Sequence, residues 1–364
     1  MRAALLEKNQ EPLAVVNDIV VEDPRPGEVL VKVSHCGICH SDLTVVDMPG
    51  GGQLPIVLGH EAAGTVEAVG SGVTRLKKGD RVMLTPLPTC GICYFCSREQ
   101  PALCVEGQSF MTGARADGTS PISRDGEFVY QAFGLGGWGE YANVVERRAV
   151  KIDEDTPLEI ACVIGCAVQT GVGAVLNTAK VEEGATVFVT GLGGIGISIV
   201  QGARLANAAR IIVSDPVAER RDYAANFGAT DVLDPTQVDV VEKARELTGG
   251  IGVDYAFEGA GHSQLILDCM NATRSGGTTT MVGAALAPLE LPIPALLLTQ
   301  EKRLQGCLLG SCNSHRDIPR FLALWRKGAL DLESMISHRH PIEDVNIGLD
   351  HMRASRGLRH VLEF

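Results

Sequence analysis

The chain has 364 residues, 45% hydrophobic and 21% charged, a composition that argues against disorder, and its length points to two domains because a single core rarely serves so many residues. The net charge of −12 at pH 7 argues against a nucleic-acid partner and against an anionic membrane surface. No apolar leader follows Met1, Arg2 and Ala3, and no apolar run is read as approaching transmembrane length, so a cytoplasmic protein with no membrane partner is expected.

Residues 1 to 35 alternate apolar and polar, as at Val29-Leu-Val-Lys-Val33, with a turn at Pro24-Arg-Pro-Gly27, which predicts short antiparallel strands. Further strands are expected at 64–69 and 80–84. Two cysteine-bearing stretches interrupt this β-rich half. The first is Cys36-Gly-Ile-Cys39-His40-Ser41-Asp42, followed by Gly59-His60-Glu61; its spacing alone does not choose between Cys36 and Cys39 as a metal ligand. The second is Cys90-Gly-Ile-Cys93-Tyr-Phe-Cys96 with Cys104. Four thiolates this close in sequence can wrap one tetrahedral Zn²⁺ at about 2.3 Å, and a shell of four sulfurs leaves no position for substrate, so a structural zinc is expected. An iron–sulfur cluster or a redox thiol cluster stays open on spacing alone. With 11 cysteines in the chain, this clustering in a reducing compartment favours metal over disulfides.

From about Thr170 the texture changes to strands at 186–190, 211–214, 252–257 and 278–283, separated by helical stretches such as 218–227 and 238–247. That alternation predicts an α/β, doubly wound parallel sheet with helices on both faces. Its centre is Thr186-Val-Phe-Val-Thr-Gly-Leu-Gly-Gly-Ile-Gly196, running on to Ile211-Ile-Val-Ser-Asp215. A buried strand, a glycine-tight turn, a helix and a second strand ending in an acid make one dinucleotide-binding βαβ unit. Gly191 permits the turn, Gly193 lets the backbone approach a pyrophosphate, and Gly196 lets the helix press on the strand; Gly194 and Ile195 belong to the same turn. Asp215 lies 19 residues after Gly196. A carboxylate there accepts both hydrogen bonds of an adenosine ribose diol and repels a 2′-phosphate, which predicts NAD rather than NADP. The last stretch carries an amphipathic helix at 318–327 and a strand from Arg359 to Phe364 that is expected to return to the first domain.

Taken together, Gly-Ile-Cys39-His-Ser-Asp, Gly-His60-Glu-Ala-Ala-Gly, the four-cysteine loop, Gly165-Cys166-Ala-Val-Gln-Thr-Gly and Gly-Leu-Gly-Gly-Ile-Gly196 give the chain a family. It resembles the medium-chain, zinc-dependent alcohol dehydrogenases over essentially its whole length. The resemblance implies a mostly-β GroES-like catalytic domain over residues 1–167 and 310–364, with a Rossmann NAD-binding domain over 168–309. It implies a catalytic zinc held by Cys39, His60 and Cys166, with the fourth position left for water or substrate, and a structural zinc on Cys90, Cys93, Cys96 and Cys104. Cys36, Cys162, Cys269, Cys307 and Cys312 are then read as packing residues.

By the same resemblance Asp42 orients His60, Glu61 is an acid beside the metal, and Ser41 takes the alcohol proton toward the nicotinamide ribose. His40 and Arg359 are expected at the cofactor pyrophosphate, Arg220 near the adenosine ribose, Thr170 and Ile195 at the nicotinamide, and Val282 with Gly283 at its carboxamide edge. The implied activity is oxidation of primary alcohols to aldehydes, and the reverse, with medium-chain, terpenoid or aromatic alcohols as substrates. The alternative is a glutathione-dependent formaldehyde (S-hydroxymethylglutathione) dehydrogenase. A homodimer is expected, with a homotetramer as the other form. Two departures matter: Thr44 stands where many relatives end the proton relay with histidine, and Pro86 stands where several place a bulky aromatic. A smaller residue implies a roomier pocket, with Trp138 and Phe133 as candidate lining.

Overall fold

The alternation at Val29, Val31 and Val33 becomes an eleven-residue strand, Glu28–Ile38, with those three side chains at most 3% exposed. The structure, a computed structural model, describes residues 1–50, 52–107, 112–283 and 290–364. It divides into two compact units, one of Met1–Cys166 with Asn313–Lys327 and Leu332–Phe364, the other of Ala167–Cys312 with Gly328–Asp331.

In the first unit Glu28–Ile38 is the centre of a mixed sheet. Glu61–Val69 and Tyr141–Val145 pair with it antiparallel. Arg359–Glu363 also pairs with it antiparallel, so the late segment does return to the first unit, and Ile336–Pro341 lies parallel beyond it. Arg81–Leu84 and Ala149–Lys151 extend the opposite edge. The strand read at 64–69 therefore starts three residues earlier, at Glu61. Val31, Ile38, Ala62, Leu84, Trp138, Ile342 and Leu362 belong to the core that this sheet shares with smaller sheets. Burying such side chains contributes about 1.5–3 kcal/mol each. The late helix runs Ser314–Arg326. It begins before the expected position because Asp317 reaches back to accept the Asn313 N–H at 2.9 Å.

The second unit holds a six-stranded parallel sheet ordered Asp231–Leu233, Arg210–Ser214, Thr186–Thr190, Val253–Glu258, Thr273–Met281, Arg303–Gly306. This is the doubly wound order, which reverses direction beside Thr186–Thr190 and opens a crevice at the carboxyl ends of the central strands. Phe188, Ile212, Val253, Ala256 and Cys269 form a core cluster there. The helix Ala218–Phe227 ends at Gly228, which adopts φ +117° and so takes the left-handed cap that glycine tolerates.

One long helix, Leu158–Ala179, passes from the end of the first unit into the second, and its length and composition would suit a membrane span. That corrects the reading that no apolar run reaches such length. Its most apolar window is 89% buried, so the apolarity serves the protein core. Two of its turns, Ile164–Val168 and Ala174–Ala179, are π-helical, a local widening that is frequent at functional sites.

Candidate active site

The site in the first unit is assembled where the strand Glu28–Ile38 ends. Cys39 follows that strand with extended φ −119°, ψ 154° and caps the helix His40–Asp47. Asp42, in the first turn, is fully buried. Its Oδ2 accepts the Cys39 N–H at 3.2 Å, and its Oδ1 accepts the Gly59 N–H at 3.0 Å. Oδ1 also lies 3.0 Å from His60 Nδ1. A carboxylate can only accept, so Nδ1 carries a proton, which leaves Nε2 as the nitrogen available to a metal. That Nε2 is buried with no partner.

Cys166 comes from the π-helical turn Ile164–Val168. Its sulfur lies 4.0 Å from that of Cys39, and the donor atoms of Cys39, His60, Glu61 and Cys166 all fall within 4.8 Å of one another. Cys36, by contrast, is a fully buried strand residue. A partnerless buried imidazole nitrogen facing two thiols is costly unless something electrophilic satisfies all three, and two thiolates with one imidazole is a donor set that suits zinc. The residues fit the metal.

The electrostatics lead to the same assignment. The hydrogen bond from Cys166 holds the Cys39 thiol well below its ordinary pKa against burial, with His60 helping. The same contact, with burial and the Cys39 charge, pushes Cys166 well above its own. Burial opposes protonation of His60, but Asp42 and Cys39 together raise it well above the usual imidazole value. Metal-free, the pocket therefore collects protons that a divalent cation displaces.

Glu61 completes the floor. It sits opposite Gly37 in the sheet register, and a Cβ on Gly37 would lie 2.0 Å from Glu61 Oε2. The missing side chain leaves room for the carboxylate. The Arg359 guanidinium, itself buried, forms an ion pair with Glu61 Oε2, while Glu61 Oε1 has no partner. Burial pushes the Glu61 carboxyl up to about 7 despite the opposing pull of Arg359. Arg359, expected at the pyrophosphate, is thus placed beside the thiol pair. Ser41 Oγ lies 3.8 Å from Cys39 Sγ. His40 is exposed, and its carbonyl accepts the Thr44 hydroxyl at 2.8 Å.

The sequence offers both Phe133 and Trp138 as pocket lining or as core, and the structure places them differently. The Phe133 ring lies 4.3 Å from that of His60 between centroids, and its backbone is left-handed at φ 56°, a conformation that needs outside support. Arg148 supplies it: the buried guanidinium donates to the Phe133 carbonyl at 2.9 Å and to the Pro86 carbonyl at 2.6 Å. Trp138 is fully buried and donates to Gly37 O at 3.4 Å, so it packs and does not line a pocket. Nothing in the sequence singled out Arg148; a lone arginine beside a strand reads as surface charge.

The second cysteine set lies on short turns about Cys96–Arg98 and Pro101–Leu103. Its four sulfurs fall within 4.8 Å of one another, with Cys90 to Cys96 and Cys93 to Cys104 each at 3.9 Å. None is in a disulfide. The backbone N–H groups of Cys96 and Val105 hold the Cys93 thiol down to about 6. This all-sulfur tetrad suits a closed tetrahedral ion.

In the second unit, Gly191 has φ +82°, and a Cβ on Gly196 would lie 1.8 Å from Gly191 O. Both positions require glycine. Gly193 precedes the helix Gly194–Leu205, and a Cβ there would meet nothing within 4 Å. That clearance at a helix N-terminus fits a pyrophosphate. Asp215 is 3% exposed and accepts the Leu192 N–H at 2.7 Å and the Val217 N–H at 2.8 Å. Arg220 lies 3.9 Å from it. Thr170 and Val282 are buried. Ile195 stands in the first turn of that helix, and a Cβ on Gly283 would lie 2.2 Å from Gly261 N.

A thiol–imidazole metal cradle on one unit and a dinucleotide turn on the other define a zinc-binding oxidoreductase. Residues 194–327 match the zinc-binding dehydrogenase family and residues 25–154 the alcohol dehydrogenase GroES-like domain. The chain belongs to the medium-chain zinc-dependent alcohol dehydrogenases, and it is an alcohol dehydrogenase working with zinc and a nicotinamide cofactor. It is 36% identical to an NDMA-dependent alcohol dehydrogenase of Amycolatopsis methanolica, over 99% of this chain and 98% of the relative. It is likewise 36% identical to an S-(hydroxymethyl)glutathione dehydrogenase of Synechocystis, over 100% and 99% of the two chains. Among solved structures, benzyl alcohol dehydrogenase from Acinetobacter calcoaceticus superposes with a TM-score of 0.94 at 30% identity, covering 100% of this chain and 99% of the other.

Proposed function

We propose that the enzyme oxidises medium-chain, terpenoid or aromatic primary alcohols to aldehydes with NAD, and runs the reverse. The observation that carries this reading is the buried, partnerless His60 Nε2 facing Cys39 and Cys166. These three residues hold the catalytic zinc, and Cys90, Cys93, Cys96 and Cys104 hold a structural one. When bound, the catalytic ion acidifies an alcohol hydroxyl as it acidifies water, to about pH 7. The chain does the rest. Asp42 fixes the His60 ring, so the donor geometry is set before substrate arrives. Ser41 accepts the hydroxyl proton, and Thr44, which cannot act as a base near neutral pH, passes that duty to water or His40. The carbinol carbon gives its hydride to the nicotinamide C4, so one alcohol and one NAD⁺ yield one aldehyde, one NADH and one proton.

The catalytic domain takes residues 1–167 and 310–364, and the NAD-binding domain 168–309. Gly191, Gly193, Gly194 and Gly196 receive the pyrophosphate, with the exposed His40 as a polar partner, while Arg359 stays with Glu61. Asp215 binds the adenosine ribose beside Arg220, and Thr170, Ile195, Val282 and Gly283 surround the nicotinamide. Oxidation of the S-hydroxymethylglutathione hydroxyl, as a glutathione-dependent formaldehyde dehydrogenase, is the second reading, supported by the Synechocystis relative. Against it, the Arg115 guanidinium that precedes Ala116-Asp-Gly-Thr-Ser120 is already paired with Glu28 at 2.7 Å and Glu22 at 2.8 Å. The protein is proposed to work in the cytoplasm as a homodimer.

An alcohol panel with NAD, read by nicotinamide absorbance alongside metal analysis per chain, tests the main reading. Zinc in both cysteine sets, hence at least two ions per chain, and turnover of benzylic or C6–C10 alcohols are expected, whereas turnover of formaldehyde only with glutathione present would replace it. Asp215→Ser, which keeps an acceptor for the Leu192 and Val217 amides, should lower the NAD over NADP preference by at least about 10-fold; an unchanged ratio removes Asp215 from cofactor choice.

A further inference from the structure

Away from both cysteine sets, four of the chain's nine histidines gather on one face of the first unit. His338 and His360 stand directly opposite each other on the parallel strands Ile336–Pro341 and Arg359–Glu363. Their rings stack at 4.9 Å and 18°. His351, from the last turn of the helix Val345–Arg353, closes the third side, 5.1 Å from the His338 ring and 5.6 Å from that of His360. One ring nitrogen from each of the three falls within 4.8 Å of the others.

Two details distinguish this group from ordinary packing. His351 Nδ1 is buried with no hydrogen-bond partner, the unsatisfied state that native interiors avoid. His360 Nε2 lies 2.9 Å from the Arg356 carbonyl. A carbonyl only accepts, so Nε2 carries the proton and Nδ1 offers a lone pair. Holding one imidazole nitrogen on a backbone carbonyl so that the other can ligate is the outer-shell arrangement common at metal sites. That lone pair meets His340 Nε2 at 3.2 Å, whose N–H is a partner that a metal ion would replace.

We propose that His338, His351 and His360 form a third metal site, taking a borderline divalent cation such as Zn²⁺. Imidazole donors without carboxylates select zinc, copper or nickel over calcium and magnesium. Tetrahedral zinc at about 2.1 Å sets its nitrogens roughly 3.4 Å apart, so the rings close inward by little more than about 1 Å. The ion ties two strands and a helix together. His360 and Arg359 are neighbours on a strand and point to opposite faces, so the ion also steadies the strand that carries the partner of Glu61.

The test uses the untagged, full-length enzyme with both cysteine sets loaded, dialysed against micromolar Zn²⁺, with metal per chain measured beside two variants. Wild type should hold a third equivalent. His351→Gln and His338→Gln should each weaken that equivalent by more than about 10-fold while retaining two ions and alcohol turnover, which establishes that they are folded. Added Zn²⁺ should also raise Tm in wild type and not in the variants. Saturation of wild type at two equivalents, or a third equivalent that survives in both variants, overturns the proposal.

Discussion

The two cysteine sets of the first unit, each able to hold a metal ion, are built in opposite ways. Cys90, Cys93, Cys96 and Cys104 come from one short loop, three of the four half-exposed, and the four sulfurs need nothing else. Cys39, His60 and Cys166 come from a strand end, a sheet-entry turn and a widened helical turn, with Cys39 and Cys166 separated by 127 residues. They are braced by Asp42, Gly37, Glu61 and Arg359. A local tetrad of one ligand type makes a closed, self-sufficient knot. A mixed triad assembled by the whole sheet leaves one coordination position free and depends on distant residues for its shape.

Mutations should separate the two sharply. Cys166→Ser is expected to reduce turnover by at least about 10³-fold while NAD still quenches intrinsic fluorescence; substantial turnover would remove Cys166 from the reacting centre. Gly37→Ala forces a methyl group into the Glu61 carboxylate. It should cost about 100-fold in kcat, with zinc content unchanged, and wild-type kinetics would show that Glu61 moves freely. Cys93→Ser should leave kcat per folded molecule within about 3-fold but lower Tm by roughly 10 °C; the reverse outcome would exchange the roles of the two sets. The smallest effect concerns His315, whose Nε2 meets the Arg147 carbonyl at 2.9 Å. Burial lowers its pKa, so the unfolded chain takes up a proton that the fold resists. Its contribution to stability is present above the usual imidazole pKa of about 6.5 and is lost as pH falls below it. His315→Gln should flatten the decline in stability between pH 7 and pH 5 on chemical denaturation, and an unaltered profile would assign that decline to other groups.

Much of this was legible in the sequence, for identifiable reasons. The glycine-tight turn after Thr186–Thr190 and the alternation of strands with helices follow from local periodicity, which short segments carry by themselves. The loop tetrad is legible because its ligands are close in sequence. The pairing of Glu61 with Arg359 is not, since 298 residues separate them and only the sheet register brings them together. Arg148 was hidden for a related reason: its partners are the carbonyls of Pro86 and Phe133, and main-chain acceptors leave no mark in side-chain chemistry. The long helix Leu158–Ala179 lacked the polar stripe that usually reveals a helix, because it is buried nearly all round.

Arg359 carries a further consequence for how the molecule is made. A ribosome emits Glu61 early, yet its countercharge follows 298 residues later, after the whole stretch Ala167–Cys312 of the other unit. Until then the nascent β-rich lobe lacks both the strand that finishes its sheet and the cation that makes a sequestered carboxylate tolerable. The unit emitted in between can therefore mature first, and the β-rich unit completes its own sheet only when the strand Arg359–Glu363 arrives.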